Sequence, residues 1–338
     1  MFAACSKEPQ RGSKEAVVNI TAGIEAQTPS TKHGAPIMGT ALPYTFTYGI
    51  FVCKHGTTDK ANAHKTNSYN LAAQYTRTDD TWRYYYVTNL STGAVDVASR
   101  DRVTITARED AATADLYAYA PYTQSAYNSG PTSIPCTISH SFTDTVEPEY
   151  DVLYAMENTG SANKNLDPES ESALSAHFTF RHAMCLLKFK FRVKNGVSDF
   201  KLQSITANIA PGATTAKLYS YRTFNAVTGL FNDGGSTTTS YAQANNYTLR
   251  HNYIDCGYYL MMPTEIADDE LYFTFRCNNM TLQPLYIKRE YVKHSDDTYG
   301  FQSGYMYTFN LVLDNYLYLD GITITDGWTD ASLGEEHI

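Results

Sequence analysis

The sequence has few positive charges and no cluster of them. Its 338 residues include 26 Lys and Arg against 35 Asp and Glu, which gives a formal charge of −9 at pH 7. Because binding to nucleic-acid phosphates needs clustered positive charge, this balance argues against a nucleic-acid partner. The chain also lacks any run of about eighteen apolar residues, so we expect no membrane-spanning helix in it.

Catalytic motifs are missing as well. The chain contains no Gly-x-Ser-x-Gly elbow, no His-Glu-x-x-His, no Cys-x-x-Cys and no glycine-rich phosphate loop. Two groups of acids could still form the paired carboxylates of a glycosidase, because such a pair is defined by its separation in space. They are Glu147, Glu149 and Asp151, and Asp268, Asp269 and Glu270. Solvated acids beside strand ends are the alternative, and we adopt that interpretation.

The histidines do not suggest a metal site. His177 and His182 lie five residues apart near a predicted strand. Alternation along a strand places them on opposite faces, so both cannot bind one metal ion. We interpret them as structural, and we predict that the protein is not an enzyme and has no catalytic residue, no metal site and no cofactor.

Strand-like alternation is what the sequence does contain. In LLKFKFRV, residues 186–193, Leu187, Phe189 and Phe191 fall on one face, and the lysines and arginine fall on the other. LYFTFRC at 271–277 and YMYTFNLVLD at 305–314 repeat the pattern, and turn-forming clusters separate such segments. Helical periodicity is hard to find. The sequence therefore predicts an all-β fold.

A polar segment at residues 157–172, ENTGSANKNLDPESES, separates two strand-rich halves of similar length. We predict an N-terminal tether at 1–14, a first β-sandwich at 15–165 and a second β-sandwich at 166–338. Within FTFRHAMCLLKFKF, the apolar parity changes between Phe180 and Leu187, which predicts a bulge or a bend between two strand segments.

The cysteines show no metal-binding spacing and no close pair. There are six, namely Cys5, Cys53, Cys136, Cys185, Cys256 and Cys277. If Cys5 is set apart, an odd number remains, and buried free thiols are the expected state of the other five. A bridge between Cys256 and Cys277 is the alternative that the sequence leaves open.

Cys5 differs from the other cysteines in its setting. The residues Phe2, Ala3, Ala4 and Cys5 resemble the end of a lipobox, and the charged run Ser6-Lys7-Glu8 follows. We predict that Cys5 carries lipid and that translation starts upstream of Met1, because the apolar region of a signal peptide should precede the lipobox. An ordinary exposed cysteine at a ragged terminus is the alternative.

With these features the chain resembles the fimbrillin family of Bacteroidetes, the Mfa-like surface lipoproteins. The resemblance rests on the lipobox-like start and on three further segments, DLYAYAPY at 115–122, FTFRHAMCLLKFKFRV at 178–193 and GYMYTFNLVLDNYLYLDGITITDGW at 304–328. It implies two consecutive transthyretin-like antiparallel β-sandwich domains. It also implies a lipid anchor in the outer membrane, exposure at the cell surface, and a structural or adhesive role in fimbriae.

Assembly by donor-strand completion is a further implication of the resemblance. The strand VVNITAGI would be the removable one, with Val18, Ile20, Ala22 and Ile24 on one face. In the family, proteolysis after a basic residue opens the groove that a strand from another subunit then fills. No arginine occurs between Arg11 and Arg77, so Lys32 is the candidate processing site. This departure makes a tip or accessory subunit at least as plausible as a stalk subunit.

The rival function is a glycan-binding lipoprotein of the outer-membrane surface. Exposed aromatics such as those of WRYYYV at 82–87 would form its platform, whereas packing inside the sheet is the other interpretation of these tyrosines. The expected partners are therefore other fimbrial subunits, the outer membrane through lipid on Cys5, and a host or bacterial surface ligand.

Overall fold

A computed structural model describes most of the chain. The described residues are 15–24, 47–76, 81–106, 113–138, 151–156, 164–170, 173–194 and 200–326.

The fold is built almost entirely from strands. In the first half the strands are β1 (Glu15–Ile24), β2 (Thr47–Lys54), β3 (Leu71–Thr76), β4 (Thr81–Tyr85), β5 (Val87–Asn89), β6 (Ala94–Val95), β7 (Val103–Thr106), β8 (Ala114–Ala120), β9 (Ile134–Thr137), β10 (Leu153–Met156) and β11 (Ala173–His182). In the second half they are β12 (Cys185–Val193), β13 (Lys201–Ile209), β14 (Leu218–Asn225), β15 (Leu230–Phe231), β16 (Ser236–Thr238), β17 (Ser240–Thr248), β18 (Ile254–Met261), β19 (Leu271–Cys277), β20 (Met280–Thr281), β21 (Leu285–Tyr286), β22 (Tyr305–Leu313) and β23 (Leu317–Asp326). The described helices are one short α-helix, α1 (Ala126–Ser129), and the 3₁₀ turns Lys60–Asn62, Thr66–Ser68 and Arg289–Val292.

Eight strands of the first half form one sheet in the order β4-β3-β2-β8-β10-β11-β1-β7. Its two edges approach each other, because Tyr84 of β4 exchanges two backbone hydrogen bonds of 2.8 Å with Arg100, three residues before β7 begins. The hydroxyl of Tyr86 also accepts from the backbone N–H of Thr104 at 3.4 Å. The sheet therefore curls around its apolar side chains, which satisfies edge groups that would otherwise face solvent.

The curled sheet encloses what we name the first core. Its members include Val18, Ile20, Tyr48, Ile50, Leu71, Leu116, Phe178 and Phe180. Tyr48 packs against Trp82 and Phe180, with ring centroids 5.3 Å and 5.1 Å apart. Strands from both ends of the sheet thus contribute to a single apolar interior.

The second half contains three sheets. Two of them, in the orders β18-β12-β22-β23 and β17-β13-β19-β20, with β21 also paired to β19, pack face to face. The third has the order β15-β14-β16, and its strand β14 also pairs with β9 of the first half. Phe189 and Phe191 of β12 meet Phe273 and Phe275 of β19 edge to face, with centroids 5.1 Å and 5.2 Å apart. These rings belong to a larger cluster, the main core, which also takes in residues of the first half. Its members include Phe51, Tyr69, Tyr119, Ile134 and Tyr154 from the first half, and Phe189, Phe224, Phe273 and Phe309 from the second.

The predicted bend is present, and it marks a change of sheet. Strand β11 ends at His182, Ala183 and Met184 form a bend, and β12 starts at Cys185 in a different sheet. The predicted division into domains at residue 165 stays a prediction. Because β11 pairs with β1 and β10, sheet membership favours a junction at Ala183 and Met184.

Most strand pairs are antiparallel, as expected, but two are parallel. These are β1 with β11 and β12 with β22. Parallel neighbours cannot be joined by a hairpin, and each of these pairs joins segments more than a hundred residues apart in the chain. Alternation alone gave no sign of the direction of pairing.

The five described cysteines are buried free thiols, namely Cys53, Cys136, Cys185, Cys256 and Cys277. The alternative of a bridge between Cys256 and Cys277 is therefore wrong. Burial in the apolar interior raises the pKa of each of these thiols, so they remain protonated and pack as small apolar groups.

A buried pair of polar residues lies beside the change of sheet. His182 Nδ1 donates to the carboxylate of Asp151, with distances of 3.0 Å and 3.2 Å to the two oxygens, and both side chains are fully buried. Burial raises the pKa of Asp151, and the neighbouring imidazole opposes that shift. The structural interpretation of His182 fits this geometry, whereas the expectation of a solvated acid at Asp151 is wrong.

Glu270 closes a loop that precedes β14. Its carboxylate accepts backbone N–H groups from three successive residues, Thr214, Thr215 and Ala216, at 2.6 Å to 3.2 Å. These hydrogen bonds stabilise the charged form and lower the pKa of Glu270 to about 2. The loop 214–216 is thereby fixed to the start of β19.

The buried pair predicts a difference between two substitutions at one site. Asp151→Ala should lower the free energy of unfolding by about 3–5 kcal/mol, because it leaves a buried imidazole N–H without its acceptor. Asp151→Asn retains an oxygen acceptor, so it should lower the free energy of unfolding clearly less than Asp151→Ala does. Urea unfolding followed by tyrosine fluorescence measures both values, and equal losses in the two variants would contradict the role assigned to the pair.

Glu270 predicts a stability term that depends on pH. Its pKa is lower in the folded than in the unfolded chain, so the term is fully present above pH 4.5 and is lost as pH falls towards about 2. Glu270→Gln should reduce stability at pH 7 by about 1–2 kcal/mol, a value kept small because solvent screens a carboxylate near the surface. The difference in the free energy of unfolding between wild type and variant, measured by urea unfolding, should then decrease from pH 6 to pH 3. A difference in free energy that stays constant with pH would show that the charge of the carboxylate does not contribute to stability.

Candidate functional site

The predicted removable strand, β1, lies inside the eight-stranded sheet. It pairs in parallel with β11, from Val17 opposite Ala173 to Ile24 opposite Phe180. Its other edge pairs with β7, but only over residues 15–18. Among the described residues, no strand covers that edge beyond Val18, so residues 19–24 of β1 are paired from one side only.

The inward face of β1 completes the first core. Ala16, Val18 and Ile20 are buried, with 0%, 2% and 8% of their surface exposed. Ala22 is partly buried and packs against the same cluster. The alternation of apolar residues in VVNITAGI therefore matches the face seen in the structure for Val18, Ile20 and Ala22. The side chain of Ile24 lies outside the described residues.

The outward face of β1 makes polar contacts with its neighbours. Glu15 Oε1 accepts from Lys65 Nζ at 3.0 Å, and the hydroxyl of Thr21 lies 2.8 Å from Nδ1 of His177 on β11. A hydrogen bond from Thr104 and the nearby Lys65 lower the pKa of Glu15. Because these groups are exposed, each contact adds little to stability, and the apolar face contributes most of the attachment.

Without β1, the sheet would have a deep gap. The backbone groups of β11 that face β1 between residues 173 and 180 would lose their hydrogen-bonding partners, and β7 would lose its only strand neighbour among the described residues. The first core would be opened along the positions of Ala16, Val18 and Ile20. Such a gap presents both unpaired backbone groups and apolar side chains, which are what an added strand can satisfy.

The acidic groups do not meet as a carboxylate pair in the described part of the chain. Asp151 is paired with His182, Asp268 accepts the backbone N–H of Arg289 at 2.7 Å, and Asp269 binds Lys288. Glu147 and Glu149 lie outside the described residues. His177 and His182 face opposite sides of β11, one exposed and one buried, as predicted. No group of three His, Cys, Asp or Glu in the described ranges could hold a metal ion.

The aromatic residues of WRYYYV do not form an exposed platform. Tyr84 and Tyr86 are buried, with 3% and 5% of their surface exposed. Trp82 stacks on Tyr84 at a centroid distance of 6.4 Å, and it also contacts Tyr48 and Tyr75. The interpretation of these rings as packing is the one that the structure supports.

Two further predicted sites, Cys5 for lipidation and Lys32 for processing, lie outside the described residues. Across the described ranges, no helix is long and apolar enough to cross a membrane.

The sequence did not reveal which strands pair with β1. Val103 and Ile105 of β7 form a short alternating segment that the sequence shows, but nothing in it indicates a partner strand as distant in the chain as β1. The same holds for β11, since pairing of distant strands depends on the whole fold and not on local pattern.

Solved structures with a similar fold come from Bacteroides species. A candidate cell adhesion protein from Bacteroides ovatus is 17% identical, with a TM-score of 0.55 over 94% of this chain and 99% of that one. A candidate cell adhesion protein from Bacteroides uniformis is 14% identical, with a TM-score of 0.54 and coverage of 94% and 99%. A fimbrial protein from Bacteroides vulgatus is 15% identical, with a TM-score of 0.53 and coverage of 94% and 100%. These likenesses show the fold.

A search of curated proteins gave no match. The family comparison did, because the model described as fimbrillin-like matches residues 47–328. That range covers most of the chain and contains the strands from β2 to β23. The chain therefore belongs to the fimbrillin-like family.

Proposed function

We propose that this protein is a structural or adhesive subunit of surface fimbriae, and that it assembles by donor-strand completion with β1 as the exchangeable strand. Membership of the fimbrillin-like family supports the pilin-like role. The observation that carries the mechanism is the position of β1, which fills a gap between β11 and β7 and closes the first core.

The free energy of strand exchange favours an incoming strand with the same alternation of apolar residues as β1. Burying Val18 and Ile20 contributes roughly 1.5–3 kcal/mol each, and the ladder to β11 adds backbone hydrogen bonds. An incoming strand with alternating apolar residues would recover both terms. To reproduce the ladders of β1, it would run parallel to β11 and antiparallel to β7.

Anchoring and position in the fimbria follow from the N-terminal region. We propose that lipid on Cys5 holds the precursor at the surface of the outer membrane and that cleavage after Lys32 frees β1. If Lys32 is not cleaved, the subunit keeps its own β1 and its anchor, which is consistent with a tip or accessory position. The two halves would act as transthyretin-like sandwich domains within such a subunit.

Limited proteolysis tests the exchange. Trypsin should cut the folded protein after Lys32 before it cuts within the strands, because the Gly and Pro content of TPSTKHGAPIMG, residues 28–39, favours a protease-accessible loop, whereas cutting a strand needs local unfolding. Because β1 is held by non-covalent contacts, the cut protein should then bind a labelled peptide EAVVNITAGI, residues 15–24. Mass spectrometry identifies the cut, and fluorescence polarisation measures peptide uptake.

A matched peptide provides the control for this experiment. Replacing the residues that correspond to Val18 and Ile20 by Asp keeps the length and places charge at two core positions, so uptake should fall at least about tenfold. Uptake of both peptides alike would show non-specific binding. First cleavage inside β2 to β11, or failure of the cut protein to exchange, would contradict the proposed mechanism.

Lipid anchoring is tested separately in the native host. The full gene with Cys5→Ala should yield protein that leaves the outer-membrane fraction, because the lipid is attached to that one sulfur. Cys136→Ala, which removes a buried thiol, serves as the control and should stay in the membrane fraction. Recovery of the Cys5→Ala protein in the outer membrane would rule out lipidation at this residue.

A further inference from the structure

The second half of the protein contains a cleft of about 630 Å³ that is distant in sequence from β1. Four separate segments line it, at residues 215–222, 230–233, 263–265 and 298–303. Its volume lies in the range of ligand sites, and such sites combine apolar surface with a few placed polar groups.

The walls of the cleft are joined by hydrogen bonds. Thr264 and Phe301 exchange two backbone hydrogen bonds of 3.0 Å and 2.9 Å, and the hydroxyl of Thr264 accepts from the backbone N–H of Lys217 at 3.0 Å. Three of the four segments are thereby fixed to one another. A cleft built in this way needs little reordering to receive a ligand.

Arg222 fastens the fourth segment. Its guanidinium donates to the carbonyl oxygens of Phe231, Asn232 and Pro263 at 2.8 Å to 3.3 Å. The same group lies over the ring of Tyr219, 4.4 Å from the centroid. Since these donor bonds all go to backbone carbonyls, Arg222 positions the wall and places a positive charge there.

Charges of both signs surround the cleft. The charged ends of Lys217, Asp233 and Glu265 are exposed. In the described part of the chain no hydrogen bond or ion pair engages Lys217 or Glu265 there, whereas Asp233 interacts electrostatically with Arg222 and opposes the lowering of that arginine's pKa by burial. Together with Arg222 they give two positive and two negative groups. A strongly anionic ligand would gain from one pair and be repelled by the other, so the balance favours a neutral ligand.

Aromatic and apolar surfaces lie beside these groups. The rings of Tyr219 and Tyr299 line the cleft, and Arg289 fixes the ring of Tyr299 by lying 4.0 Å from its centroid. Leu230, which is 63% exposed, adds an apolar rim. Because Arg222 and Arg289 each cover one face of these rings, a ligand would meet the remaining surface of the rings, which is rigid and apolar.

We propose that this cleft binds a neutral oligosaccharide. A sugar ring presents an apolar face of C–H groups to an aromatic ring and hydroxyls around its rim. Those hydroxyls can donate to Asp233 and Glu265 and accept from Lys217. The cleft is thus an adhesion site whose action does not depend on strand exchange, because its residues belong to the second half.

Binding is tested with the full chain as a monomer. The probe is an array of immobilised neutral oligosaccharides built from hexose, fucose and N-acetylhexosamine, with sialylated and sulfated members and a set of peptides alongside. The strongest neutral member is then titrated by calorimetry. Wild type should bind neutral members, and Asp233→Asn and Glu265→Gln should each weaken binding about tenfold, because a charge-assisted acceptor is lost.

Two substitutions elsewhere serve as matched controls. Asp101→Asn changes an exposed carboxylate of the first half, and Tyr316→Ala removes a ring that is 62% exposed on the segment before β23. Neither should alter the affinity, and thermal unfolding should confirm that all variants fold. The proposal is overturned if no neutral member binds, if only acidic members or peptides bind, or if Asp233→Asn and Glu265→Gln bind like wild type.

Discussion

The structure of the first half depends on one requirement, that the backbone groups of every long strand find partners. An eight-stranded sheet has two edges, and here the contact between Tyr84 and Arg100 brings those edges together. Strand β1 is joined to the rest of this sheet mainly through β11, since β7 covers only its first residues. A strand so held can be replaced without breaking the other pairings, because β11 keeps its ladder to β10.

Alternation in the sequence predicted which residues of a strand share a face, but it did not predict which other parts of the protein pack against that face. It placed Phe189 and Phe191 on the apolar face of β12 correctly, because burial of alternate residues is a local property of a pleated strand. It also placed Lys188 on the polar face, yet that side chain is fully buried and bonded to Asp255 at 3.2 Å. The reason is that side chains of the adjacent strand β18 cover this face, since the ring centroid of Tyr258 lies 5.4 Å from Lys188 Nζ beside the carboxylate of Asp255. Which strand lies beside β12 is set by the whole topology.

The candidate sites also divide into features that the sequence predicts and features that only the fold creates. The apolar face of β1 could be predicted, since it needs only a period of two along one short strand. The pairing of Asp151 with His182 could not, because the two are 31 residues apart and only the return of β11 beside β10 brings them together. The cleft of the second half was also hidden from the sequence. Its residues come from four segments, none of which carries a motif, and each hydrogen bond that joins them uses a backbone group as donor or acceptor.

The two cores explain how strand exchange and ligand binding could coexist in one subunit. All the buried residues of β1 belong to the first core, whereas the packing under the cleft, including Phe224, Ala216 and Phe301, belongs to the main core. Loss of β1 would therefore expose apolar surface in one cluster and leave the other with its contacts. Packed interiors transmit strain through direct contacts, so a change confined to the first core should reach the cleft only weakly. Assembly can then alter the first half while the second half keeps the geometry that a ligand needs.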